Sequence, residues 1–160
     1  MLERTASDAT PRDDAVRLLA RREYSRAELA ERLAAKGHAD DSIAECLDDL
    51  AEQGLQSDAR FAESFLRSRI FRGQGPVKIR LELERRGLGR EEVQAAFAAS
   101  EQAGEADWPG LACAALARRF TGPGDTPRER ARRERFLASR GFDFDQVRHA
   151  LAHAWDSASD

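Results

Sequence analysis

Two histidines four residues apart, two cysteines, a glycine-rich turn and two runs of arginine are the side chains whose type and spacing could do chemistry. His149 and His153 share one helical face, a spacing that can hold a divalent metal, but no Glu or Cys arrangement completes a ligand set. Cys46 and Cys113 lie far apart without partners at metal-ligand spacing, which argues against a disulfide framework and a structural zinc and fits a reducing compartment. The run Gly73, Gln74, Gly75, Pro76 has the glycines of a phosphate loop. It follows a helical pattern rather than a strand, however, lacks the closing Lys-Ser/Thr, and loses one backbone donor to the proline. Carboxylates fall on charged helical faces, where Glu82 with Arg86 and Glu63 with Arg67 read as i,i+4 pairs, and nothing singles out a catalytic couple. No catalytic, cofactor or metal site is expected, and the chain is read as a non-enzyme.

The arginines carry the stronger signal. Arg67, Arg69, Arg72, Lys78, Arg80, Arg85, Arg86 and Arg90 fall within 24 residues whose only acids are Glu82 and Glu84. A second cluster, Arg128, Arg130, Arg132, Arg133 and Arg135, is relieved by Glu129 and Glu134. Guanidinium groups make forked, charge-assisted bonds to phosphate oxygens, so helices of this kind can line a nucleic-acid backbone. They can equally meet carboxylates on a protein partner, or form a solvated face with internal ion pairs. The formal charge of -3 conceals this division: residues 1–60 carry nine Lys/Arg against fourteen Asp/Glu, and residues 61–100 carry eight against five. An acidic front and a basic middle allow one face to meet an anionic polymer while the whole stays soluble.

What must position these residues is a repeat. Lys36-Gly37-His38, Arg86-Gly87-Leu88 and Arg140-Gly141-Phe142 each close a helical pattern, with the glycines 50 and then 54 residues apart. Aliphatic or aromatic pairs recur downstream, Ile43 with Leu47, Val93 with Phe97, and Val147 with Leu151. A period of this size filled by helical patterns indicates stacked helical units rather than one domain around a cleft. The same alignment gives bland readings of tempting residues. Cys46 falls beside Ala96 and Ala150 as a packing residue. Lys36, Arg86 and Arg140 sit where a helix end favours a cation. Arg133 occupies the slot of Leu29 and Ile79, so either Phe136 takes the inward role in a rotated helix or Arg133 turns outward for contact.

Boundary residues fill in the helices. Ser25 with Glu28, and Thr126 with Pro127 and Glu129, read as capping boxes. Asp40, Ser57 and Asp143 read as caps, and Pro76 as a first-turn proline. Val16, Leu19 and Ala20 mark the first helix. No segment alternates with strand periodicity. The expectation is an all-α chain of nine helices in three tandem three-helix repeats, forming an elongated, curved modular rod. Its divisions are a flexible N-terminus at 1–12, repeat one at 13–55, repeat two at 56–100, a polar linker at 101–107, repeat three at 108–155 and a tail at 156–160. With 41% hydrophobic residues and no apolar span or secretory signal, a cytoplasmic protein without membrane association is expected.

The run Leu18 to Leu29 with Lys36-Gly37 resembles the opening of the RecX family of bacterial recombination regulators. So do Asp58 to Ala62, Gly73 to Pro76 with Ile79, Arg80 and Leu83, and Arg135 to Leu137 with Arg140 to Phe142, in the family's order over residues 13–155. The resemblance implies three tandem three-helix repeats that bind the RecA filament on DNA. It also implies suppression of ATP hydrolysis, strand exchange and SOS-related activity, with no catalysis. The basic clusters, taken together with this resemblance, make Arg67, Arg69, Arg72, Lys78, Arg80, Arg85, Arg86, Arg128, Arg130, Arg132, Arg133 and Arg135 candidates for contact with RecA or DNA, while Gly37, Gly87 and Gly141 are the structural markers of the repeat. A monomer is expected. The family is often basic overall whereas this chain has a pI near 5.7, so direct DNA contact is expected to be weak and salt-dependent.

Two other readings compete. A direct DNA binder built from helix-turn-helix-like repeats needs polar readers on a recognition helix, yet the chain has no Asn, and Gln94 and Gln146 are isolated. A general helical adaptor would bind an unrelated protein without salt dependence.

Overall fold

The computed structural model describes residues 9–156. Most of the proposed flexible N-terminus and of the C-terminal tail therefore lies outside the described residues. Among those described, all regular structure is helical: α1 (Pro11–Leu19), α2 (Arg26–Ala35), α3 (Asp40–Glu52), α4 (Asp58–Phe71), α5 (Pro76–Arg85), α6 (Arg90–Gln102), α7 (Trp108–Arg119), α8 (Pro127–Arg140) and α9 (Phe144–His153). The extensively contacting helix pairs all fall within one triplet, α1 to α3, α4 to α6 or α7 to α9.

Local chemistry explains the starts. Ser25, Thr126 and Asp143 each accept from the backbone N–H three residues on, while that third residue reaches back to the cap, satisfying two otherwise orphaned donors. Ser57 caps α4, and Pro76 opens α5, where a missing N–H costs nothing. Three expectations are corrected. The N-terminal stretch read as flexible through residue 12 gives way sooner to structure, because Thr10 and Asp13 form a capping box and α1 begins at Pro11. Asp40 is the first residue of α3 rather than its cap, which is Ala39 without a side-chain bond. In α1 the inward residues are Ala15 and Asp14, with Leu18 and Leu19 half-buried, while Val16 is 41% exposed.

Two apolar cores result. One is confined to the first triplet, around Tyr24, Leu29, Leu33, Ile43, Leu47 and Leu50. The other runs without a break through the second and third triplets, from Phe61 and Phe65 to Leu137 and Val147. Trp108 helps join them, its ring 5.7 Å from that of Phe97 and its indole N–H donating to Glu101.

The second helices of the triplets meet end to start. Gly75 N–H donates to the Arg140 carbonyl at 2.8 Å and Val77 N–H to the Gly141 carbonyl at 2.9 Å, so the end of α8 abuts the start of α5. The Ser25 hydroxyl donates to the Arg86 carbonyl at 2.8 Å, placing the end of α5 against the start of α2. These contacts require glycine: a Cβ on Gly87 would meet the Ala27 Cβ, and one on Gly141 the Lys78 Cβ. At the free end of the row Gly37 has nothing within 4 Å, and there only its left-handed φ of 92° calls for glycine.

Candidate functional site

The twelve candidate cations divide by whether the fold has already used them. Arg69 is half-buried, 3.2 Å from Glu82 and stacked over Phe65. Arg86 reaches Glu28 at 2.9 Å, across to the first triplet, and also covers Phe65. Arg67 pairs with Glu105 at 3.4 Å. The i,i+4 pairs read from the sequence, Glu82 with Arg86 and Glu63 with Arg67, are therefore replaced by longer-range ones. Each arginine instead finds a carboxylate on another segment, and the shared helical face does not decide the partner.

Of the two alternatives, Phe136 does take an inward role, partly buried against the shared core, and Arg133 is bonded within the chain rather than turned out for contact. Its Nε–H donates to the Gly122 carbonyl at 2.7 Å, and its guanidinium lies 4.4 Å from the Phe120 ring centre. Phe136 meets the same ring edge-on at 5.7 Å. Arg133 thus pins the loop before α8, a role signalled only by the Gly122-Pro123-Gly124 insertion that needed anchoring.

The remaining eight, Arg72, Lys78, Arg80, Arg85, Arg128, Arg130, Arg132 and Arg135, are exposed. Among the described residues none is ion-paired to a carboxylate; Arg80 lies over the Phe97 ring. These eight lie on the second and third triplets. In the first triplet Asp14 is buried between His38 at 2.6 Å and Lys36 at 3.5 Å, while Asp40, Asp41, Glu45, Asp48, Asp49 and Glu52 are exposed. The hydrogen bond from His38 holds the Asp14 carboxyl below its ordinary range, against the burial that opposes it and with Lys36 in support.

Sequence reasoning missed Arg118, Arg119 and the outward role of Arg140. With Arg72 they line a hollow of about 160 Å³ where α4, α7 and α8 end, floored by Ala115 and Phe136. No acidic residue lines it. Arg118 and Arg119 form an ordinary-looking helix end in the sequence; only the packing of α7 beside α4 and α8 makes them part of a cluster.

The cysteines and histidines have these surroundings. Burial raises the thiols of Cys46 and Cys113 above their ordinary range, as expected of packing cysteines rather than nucleophiles. His149 and His153 stack at 4.7 Å, and His153 bonds Asp156 at 2.7 Å. The Gln146 carbonyl oxygen accepts from the Asp143 backbone, so this glutamine is occupied as a cap partner. Among the described residues no helix is long and apolar enough to cross a membrane.

Comparison with known proteins agrees with the repeat plan. Sequence models of RecX match one after another: the first three-helix domain over residues 12–50, the second over 57–96 and the third over 110–151. A protein of Chromohalobacter salexigens named Regulatory protein RecX is 65% identical over 154 residues, covering 96% of this chain and 98% of its own. One of the same name from Halorhodospira halophila is 46% identical, covering 96% and 94%. The crystal structure of RecX from Lactobacillus salivarius superposes with a TM-score of 0.74 at 20% identity, covering 90% of this chain and 94% of that one, a likeness of fold alone.

Proposed function

The chain belongs to the RecX family of regulatory proteins, and from that premise we propose that it is a non-catalytic, cytoplasmic modulator of RecA, mainly an inhibitor, acting as a monomer along the RecA filament on DNA. The observation that carries this reading is the division of charge. Eight exposed cations, none ion-paired to a carboxylate among the described residues, lie on the second and third triplets of an otherwise acidic protein. Such a surface is drawn to a dense anionic assembly, while the net charge of -3 opposes tight binding to DNA alone. Several modest contacts spread along one covalent row add through their linkage, so the protein binds a repeating filament better than any isolated piece of it. Bridging neighbouring subunits is the direct way for a non-catalytic protein to slow hydrolysis and strand exchange.

The test is co-sedimentation with RecA filaments on single-stranded DNA, beside the same DNA without RecA. Capture by the filament at protein concentrations that leave bare DNA unbound is expected. Equal capture by both would favour the direct DNA binder, and capture by neither would overturn the filament reading.

A further inference from the structure

The hollow lined by Arg72, Arg118, Arg119 and Arg140 gathers four arginines with no acidic residue among its lining. Arg72 is the C-cap of α4, Arg119 the last residue of α7 and Arg140 the last of α8. Helix ends attract cations, so the first question is whether the dipoles account for all four arginines. Each helix end supplies about half a negative charge. Three ends offset about one and a half of four positive charges, and the end of α8 is already met by the Gly75 and Val77 N–H groups of α5. More than two positive charges are left over, with no acid in the lining and no internal ion pair to any of the four among the described residues.

Two of the four guanidiniums also lie near aromatic rings. Arg119 lies 5.4 Å from the Phe120 ring centre and Arg140 5.2 Å from that of Phe136, and these two rings pack edge-on. A guanidinium resting its face on an aromatic ring keeps its N–H edge free, and that edge makes the forked bonds to phosphate. Phe71, the last residue of α4 and the neighbour of Arg72 in the chain, is 87% exposed. A phenylalanine so exposed contributes nothing to the core. It offers a flat π face to a base, and base stacking beside a cationic groove is how single strands are held without sequence preference. A carboxylate-bearing protein would use the arginines but would leave Phe71 without a matching group.

We propose that this hollow is a phosphate cradle for single-stranded nucleic acid, with Arg72, Arg118, Arg119 and Arg140 on the backbone and Phe71 stacking on an unpaired base. It rests on the filament reading in so far as the strand is the one that RecA coats. The test uses a fluorescent oligothymidylate and anisotropy over a range of salt, with the full chain, the Arg118→Gln/Arg140→Gln and Phe71→Ala variants, and an Arg21→Gln/Arg32→Gln control whose residues lie in the first triplet, away from the hollow. The cradle variant is expected to bind about tenfold or more weakly at low salt, with the slope of log affinity against log salt reduced by about 1.4, at about 0.7 per lost phosphate contact. Phe71→Ala is expected to lose about fivefold or more without changing that slope, and the control to keep the wild-type slope.

A cradle variant with wild-type affinity and slope would overturn the proposal, as would a wild-type protein that does not bind the oligonucleotide at low salt. Inhibition of RecA ATPase is measured on the same proteins. Wild-type inhibition together with an unaltered cradle variant in the oligonucleotide assay sinks the cradle and leaves the filament reading standing. Oligonucleotide results as expected without wild-type inhibition sink the filament reading alone. Loss of inhibition with unchanged oligonucleotide binding would assign the four arginines to protein carboxylates and overturn the cradle.

Discussion

At the scale of single residues, the same position of the repeat serves different ends. Leu88 and Phe142 follow their glycines and are each 4% exposed in the shared core, whereas His38 in that place reaches back to the buried Asp14. The glycine exit was legible from the sequence. The Asp14 contact was not, because it joins the first turn of α1 to a residue beyond the end of α2, 24 positions away. We expect Asp14→Asn to destabilise the first triplet by about 1.5–3 kcal/mol at neutral pH, as a charge-assisted bond is lost. The pH dependence has a definite sign. The native carboxyl is held below 3.8, so its stabilisation is whole above that value and drains away as pH falls through the lowered native one. Urea melts should show wild type losing its advantage over Asp14→Asn on acidification through that window. A variant as stable as wild type at neutral pH would contradict the role of Asp14. Gly75 gives a second test. Its φ of -94° suits any residue, but a Cβ there would stand 2.5 Å from the Gly141 carbonyl group and the Phe142 nitrogen. Gly75→Ala should cost about 1–3 kcal/mol by forcing α5 and α8 apart. A melting curve matching wild type would show that the contact yields freely.

At the scale of elements, the two junctions differ in kind. The second and third triplets are joined by one apolar core and by backbone hydrogen bonds between α5 and the end of α8. The first triplet meets the second through polar groups: Arg86 with Glu28, Arg60 with Glu23 at 3.1 Å, the Arg26 N–H with Asp58 at 2.8 Å, and Gln56 with the Tyr24 carbonyl. Exposed ion pairs contribute little and are screened by salt, while apolar burial is not. Hydrogen exchange should therefore show α1 to α3 opening as a separate unit at lower free energy than α4 to α9, with the gap widening in high salt. Uniform protection across all nine helices would contradict this. Cap residues and apolar spacing made the helices readable because both act within a few residues. Junction chemistry was hidden because its partners, such as Ser25 and Arg86, are 61 residues apart.

At the scale of the whole molecule, the fold sorts the arginines more finely than the sequence did. Arg69, Arg86 and Arg133 read as members of two basic clusters, yet they hold helices and a loop in place. Arg118 and Arg119 looked incidental and line a hollow with Arg72 and Arg140 and no acid. Charge reversal should accordingly act on the free set: Arg72→Glu, Lys78→Glu and Arg85→Glu together are expected to leave helix content and melting nearly unchanged while weakening the effect on RecA. The most direct measurement is the ATPase rate of RecA filaments on single-stranded DNA, titrated with the wild-type protein and with this triple variant. We expect the wild type to suppress hydrolysis at concentrations that leave the bare strand unbound, and the variant to need at least about tenfold more protein, a loss of about 1.4 kcal/mol. Hydrolysis unaffected by the wild type, or suppressed equally by the folded triple variant, would contradict a filament modulator acting through these cationic faces.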